Sequence, residues 1–148
     1  MIISDYFSHI QLSNISILHR KNFISPRAKS LFLDRDGVLI KDVHYINSPE
    51  QVILCKNLEI FLKTARDLDF DVFVVTNQSS VARSIISINQ YLNITEKILS
   101  YLDPYIYPDF ILASFHHPNK KTSSMKWRKP ENGMFNFILD NFSYSPSE

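Results

Sequence analysis

Three short apolar runs, Leu31-Phe32-Leu33, Val72-Phe73-Val74-Val75 and Phe110-Ile111-Leu112-Ala113, constrain this chain more than any other feature. Each closes in a polar cluster: Asp34 to Asp36, Thr76 to Ser79, and Ser114 with His116 and His117. Such runs read as strands buried on both faces. Between them, apolar residues recur at helical spacing. Leu58, Phe61, Leu62, Ala65 and Leu68 predict an amphipathic helix over 57–68, and Tyr91, Ile94, Ile98 and Leu102 predict a second. Asp103-Pro104 and Tyr107-Pro108 punctuate the end of that second helix. Met134, Phe135, Ile138, Leu139 and Phe142 predict a last helix. Alternating strands and helices imply an α/β fold, a parallel sheet with flanking helices and right-handed crossovers. A parallel sheet brings all three polar clusters to one edge, beyond the strand carboxyl ends where open α/β sheets bind ligands.

At 148 residues the chain fits one domain. A domain of this size buries about two-thirds of its unfolded surface, enough for a core without staples. Hydrophobic content of 45% with 21% charged residues argues against general disorder. A net charge of +1 gives no electrostatic case for nucleic acid or an acidic membrane. Cys55 is the single cysteine, so no internal disulfide forms and a reducing compartment is expected. No apolar stretch is long enough to span a bilayer, and Met1-Ile2-Ile3-Ser4-Asp5 lacks the basic and apolar regions of a signal peptide. The expectation is a cytoplasmic monomer. Residues 1–29 read as an N-terminal extension. Ile10, Leu12, Ile15 and Ile17 hint at an extended segment, but the alternation breaks at Asn14, and no function is assigned to it. Gly37 and Gly133 are the only glycines, so each is expected where the backbone needs one.

The chemistry concentrates at the first polar cluster. Asp34 is the candidate nucleophile: an aspartyl carboxylate attacking phosphorus splits hydrolysis into two in-line transfers. Asp36, two residues on, is placed to protonate the leaving alcohol and then deprotonate the attacking water. Two carboxylates repel a phosphate dianion, and a Mg²⁺ shared between Asp34 and the phosphate, with a backbone carbonyl and waters completing its octahedron, removes that repulsion. A bare pair of this spacing also serves as a turn, and the pair alone does not separate the readings. Thr76-Asn77 offers a hydroxyl and a backbone N–H to phosphoryl oxygens, or else simply ends a strand. Lys129 is a cation for a charge-rich transition state, and Arg128 can grip a second phosphate or a sugar. An isolated Arg128-Lys129 pair is otherwise an ordinary solvated face, and Arg83 carries the same ambiguity. His116-His117 has no Cys or Asp at ligand spacing, so zinc is not expected.

Taken together, Phe32-Leu33-Asp34-Arg35-Asp36-Gly37-Val38, Asp42 with Tyr45, Val74-Val75-Thr76-Asn77-Gln78-Ser79, Val81-Ala82-Arg83, His116-His117-Pro118, and Arg128-Lys129-Pro130 followed by Gly133-Met134 resemble the haloacid dehalogenase (HAD) superfamily of phosphohydrolases. More closely, they resemble the D-glycero-D-manno-heptose-1,7-bisphosphate 7-phosphatases and the related histidinol-phosphatase domains. The resemblance covers about residues 31–142 and makes 30–148 a Rossmann-like, HAD-type domain. It implies Asp34 as nucleophile, Asp36 as general acid/base, both at the Mg²⁺ site, and Thr76 and Lys129 as phosphoryl stabilisers. It implies substrate contacts from Arg35, Asp42, Tyr45, Asn77, Gln78, Ser79, Arg83 and Arg128. The implied activity is hydrolysis of a small phosphosugar, the 7-phosphate of heptose bisphosphate, for surface-glycan synthesis. Histidinol phosphate is the alternative substrate, and a catalytically impaired family member the alternative role.

Three departures from the family pattern stand out. The zinc-loop cysteines appear here as Ser114, Met125 and Trp127, so that loop is expected to be metal-free and packed by Met125 and Trp127. Ser80 and Ser84 stand where glycine is common. The family's fourth strand, with its acidic Mg²⁺ motif, has no counterpart before Glu148, and Asp140 sits too early, in a helical pattern. The expectation is a C-terminally truncated member whose first strand is a bare edge, with residues 1–29 as a candidate cover.

Overall fold

The computed structural model describes residues 1–24, 27, 29–120, 126–142 and 144. Among them, five strands form one sheet in the order β1-β2-β5-β4-β3. These are β1 (Phe7–Leu12), β2 (Ile15–Arg20), β3 (Lys29–Leu33), β4 (Phe70–Asn77) and β5 (Phe110–Ser114). The helices are α1 (Ile2–Tyr6), α2 (Leu58–Asp67), α3 (Ser79–Ala82), α4 (Ile88–Ser100) and α5 (Gly133–Phe142).

The three sequence-predicted strands are β3, β4 and β5, and they pair in parallel, with Leu33 beside Val74 and Thr76 beside Ala113. The expectation of a parallel sheet needs one correction: the sheet is mixed. β1 and β2 form an antiparallel hairpin turning at Ser13-Asn14, where the alternation broke, and β2 runs antiparallel to β5. The hairpin also sits on the opposite edge from the one it was expected to cover. β5 offered a long apolar partner, and Ile15 and Ile17 of β2 extend its buried face. Among the described residues β3 is the far edge, paired with β4 alone.

The strands alternate strictly between two apolar layers, as a period of two requires. Val72, Val74, Ile111 and Ala113 face Leu62, Ala65, Tyr91, Ile94 and Ile98 of α2 and α4. Phe73, Val75, Phe110 and Leu112 face Met134 and Ile138 of α5, with Phe32 and Trp127 alongside. Both crossovers, β3 to β4 and β4 to β5, therefore put their helices on one face, as a single handedness demands. α4 begins earlier than its apolar pattern because Ser87 and Gln90 form a reciprocal capping box. α1 docks on α4, where the Glu96 carboxylate accepts hydrogen bonds from the Ile2 and Ile3 amides. At the end opposite the polar clusters, Arg66 donates to the Asp109 carboxylate at 2.6 Å, and both are buried.

Candidate active site

β3 and β4 deliver the site because their carboxyl ends are adjacent. Leu33 is the last residue of β3, so Asp34 leaves the sheet beside the end of β4. The turn that follows needs Gly37, whose φ is +79°. The Arg35 carbonyl accepts from the Leu39 and Ile40 amides at 2.9 and 3.1 Å, and the Gly37 amide donates to the Ile40 carbonyl at 2.8 Å. Residues beyond it pair with a second loop: Lys41 N–H donates to the Ile53 carbonyl, and Cys55 N–H to the Leu39 carbonyl, both at 2.9 Å. Asp34 and Asp36 are thus held on a braced turn.

Lys129 reaches this turn from the far loop. Its ammonium donates to Asp34 Oδ2 at 2.8 Å and to the Val75 carbonyl at 2.9 Å. Its backbone is fixed by Asn77, whose side-chain amide donates to the Lys129 carbonyl and accepts from the Lys129 amide, each at 3.0 Å. Asn77 is therefore spent on placing the lysine. Asp34 Oδ1 accepts from the Arg35 amide at 2.7 Å, and the Asp34 side chain is 42% exposed. One carboxylate oxygen beside a fixed cation, with the rest open to solvent, suits a nucleophile for a phosphate ester.

Asp36 has different surroundings. Its Oδ1 accepts from Arg35 Nε at 3.1 Å and Nη2 at 2.8 Å, and its Oδ2 accepts from Gln78 Nε2 at 2.7 Å. Gln78 Nε2 also donates to the Thr76 hydroxyl at 2.8 Å. Thr76 is fully buried, and Gln78 and Arg35 nearly so.

A cleft of about 280 Å³ opens beside Asp36. Arg35, Asp36, Asp42, Tyr45, Asn77, Gln78 and Ser79, all named from the sequence, line it together with Val43, His44, Ile46 and Ser80. His44 lies inside the stretch from Asp42 to Tyr45 that was expected to line the pocket, and it and Tyr45 carry φ of +43° and +61°, a conformation uncommon for non-glycine residues. The Arg83 guanidinium lies over the Tyr45 ring, 5.9 Å from its centre. Arg128 donates to the His116 carbonyl at 3.1 Å. Burial first and then Arg83 push the Arg128 pKa down, and partial burial followed by Arg83, Lys120 and Arg128 does the same to His117. Arg83 and Arg128 are thus close enough to repel one another, and His117 lies near both of them and near Lys120. None of the four has an ion pair with a carboxylate among the described residues.

The His116 ring shares a 2.9 Å hydrogen bond with the Ser114 hydroxyl, and both are buried. Burial, then Arg128, lowers the His116 pKa. Trp127 packs on Phe137, ring centres 5.5 Å apart, while Met125 lies outside the described residues. Among the described residues no group of three or more His, Cys, Asp or Glu side chains converges. A cation at Asp34 and Asp36 would take most of its shell from water and substrate oxygens. That is how Mg²⁺ binds, so this hard-oxygen donor set fits it.

The chain matches the family model described as polynucleotide kinase 3 phosphatase over residues 29–147. It is 33% identical to the D-glycero-alpha-D-manno-heptose-1,7-bisphosphate 7-phosphatase of Photorhabdus laumondii, over 73% of this chain and 62% of that one. It is 30% identical to the D-glycero-beta-D-manno-heptose-1,7-bisphosphate 7-phosphatase of Haemophilus ducreyi, over 81% of this chain and 69% of that one. The chain thus spans about two-thirds of these relatives. Its fold is similar to a HAD-like phosphatase from Mesorhizobium loti, with a TM-score of 0.79 at 24% identity, covering 92% of this chain and 68% of that one. It is also similar to the heptose 1,7-bisphosphate phosphatase from B. bronchiseptica complexed with magnesium and phosphate, with a TM-score of 0.69 at 25% identity, covering 78% and 64%. Among the described residues no helix is long and apolar enough to cross a membrane.

Proposed function

This chain belongs to the heptose-1,7-bisphosphate 7-phosphatase family of HAD-like phosphatases, which are phosphoric monoester hydrolases, and on that premise we propose that it hydrolyses the 7-phosphate of D-glycero-D-manno-heptose 1,7-bisphosphate. The observation that carries the proposal is the Lys129 ammonium bridging Asp34 Oδ2 and the carbonyl of β4, 2.8 and 2.9 Å away. In the proposed reaction an Asp34 oxygen attacks phosphorus and the bond to the sugar oxygen breaks. Asp36 gives that oxygen a proton. Asp36 then takes a proton from water as it attacks the aspartyl-phosphate, which releases phosphate and restores Asp34. Lys129 and Thr76 stabilise the charge on the transferring group. Asp34 and Asp36 would hold Mg²⁺, which would supply charge neutralisation between the carboxylates and the phosphate.

The neighbouring cations Arg83 and Arg128, with Lys120 beyond His117, support a substrate with a second phosphate, whereas histidinol phosphate has only one. A net charge of +1 and a small cleft favour a sugar phosphate over a polynucleotide. The test is phosphate release from heptose bisphosphate, histidinol phosphate and a 3′-phosphorylated oligonucleotide, with Mg²⁺ and with excess chelator. The expected result is Mg²⁺-dependent release from the heptose substrate above both others. Release from histidinol phosphate at an equal or higher kcat/KM overturns the substrate assignment, and equal rates for the wild type and Asp34→Asn overturn the mechanism.

A further inference from the structure

We propose that Gln78 and Arg35 are positioning residues that orient the Asp36 carboxylate for proton transfer, a role that rests on the acid/base reading of Asp36 above. Both were expected to contact substrate and both line the cleft, and three of their side-chain N–H groups are directed at Asp36.

Asp36 is 30% exposed on a short side chain beside a glycine turn, so nothing in its own packing selects one rotamer. Three N–H groups do: two from Arg35 on Oδ1 and one from Gln78 on Oδ2. Two N–H groups from one edge of the guanidinium fork converge on Oδ1 and fix the position of that oxygen more narrowly than a point charge does. Gln78 fixes the other oxygen from the adjacent carboxyl end of β4. Its backbone amide donates to the Ser114 carbonyl at 2.7 Å, which ties it to the end of β5.

The burial of Arg35 makes no sense as a stabilising device. Its side chain is 4% exposed, and its ion pair joins neighbours in sequence, so it holds no two elements together. Arg35 Nη1 is buried without a hydrogen-bond partner among the described residues. Desolvating a cation and leaving a donor unpaired both cost stability. What the arrangement yields is the fixed direction of Asp36.

Gln78 has a second consequence. Both hydrogens of Nε2 are used, one on Asp36 and one on the Thr76 oxygen. The Thr76 hydroxyl is then an acceptor on that side, and its own hydrogen remains to be donated to a phosphoryl oxygen. One amide thereby sets both the proton carrier and a phosphate donor.

A proton is needed only when the leaving oxygen departs poorly. The experiment measures kcat/KM, which reports transfer to Asp34, for heptose bisphosphate and for para-nitrophenyl phosphate, whose leaving group departs as a stable anion. Gln78→Ala is expected to lose at least about tenfold more on the sugar ester than on the aryl ester, a part of the ~10²–10⁴-fold that general acid catalysis supplies. Arg35→Lys, which keeps the charge and loses the fork, reads the same ratio should Gln78→Ala fail to fold. Asp36→Asn is expected to show the same pattern more strongly. Equal losses on the two esters, or none, in Gln78→Ala and Arg35→Lys with Asp36→Asn impaired on the sugar ester overturn this proposal alone. Full sugar-ester activity in Asp36→Asn, or no turnover by the wild-type chain, overturns the reading it rests on and this proposal with it.

Discussion

Replacing Lys129 by methionine removes the ammonium and keeps the apolar stem. The ammonium sits 2.8 Å from Asp34 Oδ2. Two unit charges at that distance interact by about 6 kcal/mol at an effective dielectric constant of about 20. Asp34 is 42% exposed and Lys129 22%, so solvent screens most of this in the resting protein, and the stability cost falls to about 1 kcal/mol or less. The transition state is different, because an incoming phosphoryl group displaces that water and adds negative charge. Loss of one fixed donor at such a site costs about 10²–10³ in kcat. The expected outcome for Lys129→Met is a fall of that size in phosphate release, with a thermal midpoint within a few degrees of wild type, read by calorimetry on the same samples. A variant that melts far earlier while keeping its kcat would refute the reasoning, since the lysine would then be a structural strut.

Asp109→Asn leaves the Arg66 guanidinium buried without its counter-charge and should destabilise the protein by about 3–5 kcal/mol in urea unfolding, with a smaller loss in Arg66→Met paired with Asp109→Leu. Gly133→Ala drives a Cβ into the Lys126 carbonyl oxygen and to 2.9 Å from Trp127 Cα, both backbone atoms, so α5 or the Lys129 loop must shift. A loss of about 1–3 kcal/mol is expected, with a fall in activity beyond what stability explains. Burial, then Arg128, lowers the His116 pKa below its ordinary 6.5 in the folded state, so the unfolded chain binds more protons as pH falls below that value. The contribution of His116 is complete above about pH 6.5 and is lost on acidification, so His116→Gln should flatten the rise in unfolding free energy between about pH 5 and 7.

The parallel core was legible because β4 and β5 are buried on both faces and so are continuous apolar runs, because the half-buried edge strand β3 still carries Leu31-Phe32-Leu33, and because α2, α4 and α5 each carry an apolar stripe. The hairpin was only half legible. Ile10, Leu12, Ile15 and Ile17 alternate as strands do, but the edge they join is decided by tertiary packing against β5, which no local pattern encodes. Asp34, Thr76 and Lys129 could be named from residue type and order. The work of Asn77, Gln78 and Arg35 could not. An Asn or Gln after a strand reads as a turn residue, and an Arg between two aspartates reads as exposed, yet here Asn77 holds Lys129 while the other two hold Asp36. Side-chain hydrogen bonds across 42 and 52 residues of sequence leave no periodicity to read.

The central claim is that Asp34 carries the phosphoryl group covalently. The direct measurement is acid quenching of the protein during turnover of substrate labelled in the transferred phosphate, followed by peptide mapping. The account predicts an acid-stable, base-labile label on the peptide containing Asp34, absent from Asp34→Asn and trapped longer in Asp36→Asn. Phosphate release by the wild type with no protein-bound label, or label on a peptide without Asp34, would contradict it.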